Sequence, residues 1–170
     1  MKNIILATIL GTTILSLSGC ITMPDAKTIS DNAYKGYSEI VELNGLNQAQ
    51  AFDASKMWMA KVFTSANNVI QYADKENGTI IGKGNFALKC PPDVKGMNCI
   101  AYTSTRAEFM LKIEVKDQKA RLTFSEVHQA VNNYPFFEDK SKQIVDEQIK
   151  DMVKNYRTDV LNQKSQSNDW

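Results

Sequence analysis

The sequence predicts an α+β domain: a curved antiparallel sheet of about five strands with two helices on one face, in the order β-α-β-β-β-β-α. Three observations predict it. Residues 102–116 alternate, with Ala107, Phe109, Leu111, Ile113 and Val115 on one side and Arg106, Glu108, Met110, Lys112, Glu114 and Lys116 on the other. That is the period of a sheet with one buried and one solvated face. Asn77-Gly78 and Asp117-Gln118-Lys119 are polar turns that fold neighbouring strands into hairpins. Two stretches with helical spacing flank these hairpins, one holding Phe52, Met59, Val62, Phe63 and Ala66, the other Val145, Ile149, Met152, Val153, Tyr156 and Val160. Each is the apolar face of a helix laid on a sheet.

The chain opens with a segment of a different kind. Lys2 followed by an apolar run over residues 4–15 has the charge and length of a signal peptide. The run is shorter than the roughly 20 apolar residues that span a bilayer. Leu17-Ser18-Gly19-Cys20 resembles a bacterial lipobox; an uncleaved anchor and a signal cut elsewhere are the alternatives. The resemblance implies removal of residues 1–19 and acylation of Cys20, which makes the membrane a partner through lipid. Each buried methylene is worth about 0.8 kcal/mol, so two or more chains hold stably. Ile21, rather than aspartate, follows Cys20, and in the sorting pattern this resembles, that favours an outer membrane, with the protein facing the periplasm.

Lys2 is the one charged residue lost with residues 1–19, leaving 19 basic side chains against 19 acidic ones. A neutral chain is a poor match for nucleic acid, where clustered Lys and Arg supply most of the affinity. No nucleic acid is expected as a partner. Residues 20–36, with Pro24, Ser30, Asp31, Asn32 and Gly36 and no apolar period, read as the acylated cysteine and a linker. Residues 37–163 make one domain and 164–170 a disordered polar tail.

Within the domain, Ile40, Val41 and Leu43 mark a first strand over residues 37–43, ended by Asn44-Gly45. Asn47 with Gln50 three residues on is a capping box for a helix to about Ala66. Trp58 sits at the edge of its apolar stripe. Residues 68–73 and 79–88 are the next two strands, and Gly82 and Gly84 on the second leave gaps for Trp58 or Phe63 to fill. No helix start follows Gly82-Lys83-Gly84, which excludes a phosphate loop. Ala120, Leu122 and Phe124 carry the buried face onto the last strand. Residues 132–139 then pin Tyr134, Phe136 and Phe137 to the core edge, and Ser141 caps the long second helix.

Between the third and fourth strands, Cys90 and Cys99 bound a loop containing Pro91, Pro92, Val94 and Met97. With Cys20 acylated, three cysteines reduce to one pair, which an exported protein keeps as a disulfide. Closing about ten residues is worth ~2.7 kcal/mol in the chain-entropy model. Two cysteines and the single His128 are too few for a zinc site, and a redox centre favours Cys-x-x-Cys. No metal or cofactor is expected. Loop residues Pro91, Pro92, Val94 and Met97 are the candidate contact for an envelope protein.

Lys56 to Trp58, Phe63, Val69-Ile70-Gln71-Tyr72, residues 78–84, residues 113–117 and Arg121-Leu122-Thr123-Phe124 are together similar to a family of bacterial exported proteins, the domain of unknown function with a TBP-like fold. The similarity spans residues 38–161. It implies the fold of one TATA-binding-protein repeat without its DNA-binding role, and no catalytic residues. The expected function is thus a membrane-anchored, non-catalytic envelope module that binds or supports something else. A small periplasmic hydrolase or ligand carrier is the alternative, with Glu126 and His128, two apart on the last strand, as its candidate acid-base pair.

Overall fold

Turn chemistry and alternation build the sheet. The computed structural model describes the backbone of residues 24–63 and 70–166, and the side chains of these up to residue 163. The elements run α1 (Ala26–Asn32), β1 (Tyr37–Glu42), α2 (Gln48–Val62), β2 (Ile70–Asp74), β3 (Thr79–Ala87), α3 (Met97–Thr103), β4 (Arg106–Lys116), β5 (Lys119–Gln129) and α4 (Asp139–Gln166). The five strands lie in the order β1-β5-β4-β3-β2, all antiparallel. The predicted α+β class and sheet are observed. Because β1 and β2 form opposite edges, α2 carries the chain across the whole sheet. It begins with the expected cap: Asn47 Oδ1 accepts from Gln50 N–H at 2.9 Å, and Gln50 Oε1 accepts from Asn47 N–H at 3.1 Å.

The two long helices share one face of the sheet. Ala107, Phe109, Leu111, Ile113 and Val115 on β4, with Ala120, Leu122 and Phe124 on β5, are buried beneath them together with Val145, Ile149, Val153, Tyr156 and Val160 of α4. Phe63, the residue that ends α2, lays its ring against Phe109 with centroids 5.8 Å apart. Gly84 makes this approach possible: a Cβ there would stand 2.6 Å from Phe63 Cε1 and 2.7 Å from Phe109 Cζ. The expectation that a helix aromatic fills the glycine gap is met at Gly84 by Phe63.

Trp58, at the edge of the stripe, is as deeply buried as its centre, with its ring 5.1 Å from that of Tyr156. Several expectations need correction. Val62, expected on the apolar stripe, is exposed, because the helix ends there and the chain turns Phe63 inward instead. Residues 20–36 are not all linker. Asp25 accepts from Thr28 N–H at 2.7 Å and starts α1, while Tyr34 donates from its backbone to Phe136 O and from its hydroxyl to Asp146. Ser141 is not the cap of the last helix, since α4 starts at Asp139 and Ser141 Oγ donates to Glu138 O at 2.8 Å. The helix also runs three residues into the expected tail. Cys20, Ala66, Asn68, Val69 and Trp170 lie outside the described residues.

The largest addition is α3. Residues 102–105 do not continue the fourth strand; Tyr102 and Thr103 close a seven-residue helix that begins inside the cysteine loop. Gly96, at φ 64°, turns the chain into it, a conformation that costs a glycine little. Thr105 N–H then caps back to Tyr102 O before β4 starts.

Candidate functional site

The two ends of the sheet are unlike. At one end the connections are tight and stitched together: Leu43 N–H donates to Gln118 O, Gln118 N–H to Leu46 O and Val115 N–H to Gly78 O. The other end carries everything irregular, namely α1, the excursion from Leu88 to Thr105 and the connection from Ala130 to Glu138. Any site made of loops on this scaffold belongs there.

Cys90 and Cys99 stand at disulfide distance at that end, with Cα atoms 5.3 Å apart. Further contacts hold the closed loop against α4. Lys89 N–H donates to Gln148 Oε1 at 2.8 Å, Gln148 Nε2 donates to Ala87 O at 3.0 Å, and Lys140 meets Asp93 at 2.6 Å. The hydrogen bond from Lys140 holds the Asp93 carboxyl below its ordinary range. Of the four loop residues expected to face a partner, Pro91 is buried, Val94 is half-buried, and Pro92 and Met97 are exposed. Pro91 and Val94 are therefore mainly packing residues. Burying Pro91 lets the loop fold back over Ile144 and Gln148, with which it lines a recess of about 350 Å³.

A cleft of about 420 Å³ opens beside α3, walled by Leu88, Tyr102, Phe136 and Phe137, with Gln129 and Glu138 as polar groups at its rim. This volume lies within the range of small-molecule sites. The hydroxyls of Thr105 and Ser141 also line it, and Ser141 Oγ is engaged with Glu138 O. Sequence reasoning missed the cleft because one wall is α3, whose Met97, Ile100 and Ala101 show helical spacing too briefly to register.

Glu126 and His128 are not brought together. No hydrogen bond or ion pair joins them among the described residues; His128 Nδ1 lies 3.3 Å from Gln129 O, and its backbone bridges Pro135. The strand is also bulged at this point. Glu126 sits at φ 51°, and the pairing slips so that Met110 faces Ser125 while Glu108 faces His128. The extra residue restarts the alternation, which buries Val127 and turns Glu126 outward.

The outer face of the sheet pairs several of its own charges. Lys83 pairs with Glu108, Lys112 with Glu114 at 2.8 Å, and Arg106 bonds Asn85. Lys112 also holds the Glu114 carboxyl below its usual range. Among the described residues no three or more His, Cys, Asp or Glu side chains gather as metal ligands. No helix among the described residues is long and apolar enough to cross a membrane. Ser55 does bond Tyr156 at 2.7 Å, but both are buried between α2 and α4, where no substrate reaches. The bond is structural.

A five-stranded antiparallel sheet with helices on one face and its loops gathered at one end is a TBP-like fold. Residues 37–129 match the domain of unknown function (DUF4468) with TBP-like fold, and the chain belongs to that family. The match covers β1 to β5 and stops before α4. Among solved structures, a family member from Bacteroides ovatus is similar at a TM-score of 0.59 and 14% identity, over 82% of this chain and 96% of the other. A TBP-like protein from Parabacteroides distasonis is similar at a TM-score of 0.57 and 14% identity, over 75% and 92%. At this identity the likeness concerns the fold alone. No curated protein matches the chain significantly.

Proposed function

We propose that the protein is a lipid-anchored, non-catalytic module of a bacterial envelope, held by acyl chains on Cys20 and facing the periplasm from the outer membrane. The observation that carries this reading is Leu17-Ser18-Gly19-Cys20 placed directly behind Lys2 and a short apolar run. A cleaved and acylated Cys20 also leaves Cys90 and Cys99 as a matched pair, which an oxidising compartment keeps closed. Support for a non-catalytic role comes from His128, whose Nδ1 lies against Gln129 O and not against Glu126, the other half of the acid-base pair the sequence offered. In this reading the domain binds or braces another component of the envelope.

The test is the Cys20→Ala variant expressed from the full chain. It should leave the membrane fraction and lose incorporation of labelled fatty acid. A variant that still sediments with membranes and still carries label refutes the reading.

A further inference from the structure

The loop-bearing end of the sheet has apolar side chains that the fold leaves in water. Val131 is 89% exposed and Met97 85%, the two most exposed large apolar residues among those described; Ile100, one turn on from Met97, is 60% exposed. Scattered apolar side chains on a surface are ordinary. These three share one end: Met97 and Ile100 lie on α3 just before β4, and Val131 follows Ala130, whose N–H donates to Arg106 O at the first residue of β4.

The same end holds the chain's approach to Cys20. Tyr34 N–H donates to Phe136 O at 2.7 Å, fixing the segment before β1 against the connection that carries Val131. From there α1 leads back to Pro24. Cys20 is only four residues further, so it lies within about 13 Å of Pro24 at ~3.3 Å per residue. A lipid on Cys20 would tether this end to the bilayer and hold the tight-turn end away from it. Charge at this end is mixed, with Asp25, Glu126 and Glu138 exposed beside the lysines. Asp93 is paired with Lys140 and Asp31 with Lys27, while Lys95 and Lys35 are exposed and suit anionic headgroups.

We propose that Met97, Ile100 and Val131 rest in the headgroup–acyl boundary of the membrane that holds Cys20, so that the domain stands on the bilayer by its disulfide-closed end. The inference rests on the lipoprotein reading for its tether. Apolar side chains at this boundary add to what the acyl chains contribute, and they convert a swivelling tether into a fixed orientation. The cross-linked loop presents Met97 on a backbone already ordered, which lowers the entropy lost on contact.

The test uses the full-length protein, purified with its lipid and reconstituted in vesicles of phosphatidylethanolamine and phosphatidylglycerol that include a photoactivatable phospholipid. After illumination, lipid adducts are mapped by mass spectrometry, and the acylation of Cys20 is read from the same digest. Peptides with Met97, Ile100 and Val131 should carry at least fivefold more adduct than those covering Asp74 to Gly78 at the opposite end. The triple variant Met97→Ser, Ile100→Ser, Val131→Ser should lose that excess and keep its acyl chains. Acylated Cys20 with even labelling of both ends overturns the membrane-standing proposal alone. An unmodified Cys20 overturns it together with the lipoprotein reading. In intact cells, cross-links from Met97 or Val131 to a protein instead of lipid assign the end to a protein partner and also overturn it.

Discussion

Replacing Gly84 by alanine tests the packing at the centre of the fold. The added Cβ would meet Phe63 Cε1 at 2.6 Å and two atoms of Phe109 at 2.7 and 2.9 Å, against an ordinary carbon contact of about 3.5–4.0 Å. Both rings would have to move by close to an ångström. Phe109 has little room, since Phe86 and Phe124 lie 5.6 and 5.3 Å from it, centroid to centroid. Phe63, at the end of α2, is the ring that yields. Overpacking of this kind costs about 1–3 kcal/mol, and loss of glycine freedom in the unfolded chain returns about 0.4–1. A net destabilisation of about 1–2 kcal/mol follows, seen as a Tm lower by roughly 3–8 °C. Thermal and urea unfolding measure it. If the packing of Phe63 on Phe109 is the obstacle, Gly84→Ala should cost less in a Phe63→Leu background, where the smaller side chain gives Phe109 room to shift. An alanine variant as stable as the parent, or costs that simply add, would refute the contact between glycine and ring.

The buried Tyr156 predicts a loss of stability in alkali. Burial pushes its phenol up to about 12, against about 10 when unfolded. The folded state keeps a proton that the unfolded chain releases, so this contribution is whole below pH 10 and is lost as pH rises through 12, on the order of 2–3 kcal/mol. In Tyr156→Phe, Ser55 still donates to Ala51 O, and urea midpoints at pH 9 and 11.5 should differ less than in the parent. An unchanged difference would assign the loss to another phenol, such as Tyr34, which burial and Asp146 also raise. For the cysteine pair, Cys90→Ser with Cys99→Ser should lower stability by ~2.7 kcal/mol, matching the parent under reductant. Recovery of both parent thiols in free form from exported protein would remove the bridge.

What the sequence determined by itself is the periodic part of the protein. Alternation from Ala107 to Val115 sets the buried face of β4 whatever packs on it, because adjacent side chains in a strand must point to opposite faces. Asn47 and Gln50 start α2 through bonds made within four residues, and the spacing from Val145 to Val160 lays α4 on the sheet through its own periodicity. Counting cysteines singled out Cys90 and Cys99, and the fold places them at disulfide distance. Tertiary structure decided the exceptions. Strict alternation would carry Glu126 onto the face of Phe124; only the pairing of β5 with β4 shows the bulge that sends it outward and buries Val127. α3 is too short to advertise itself; Cys99 within it stands at disulfide distance from Cys90, and Thr105 N–H caps its end. The loop-bearing end was invisible for the same reason. Tyr34 bonds Phe136 about a hundred residues away, and a contact at that distance leaves no period for a sequence to display.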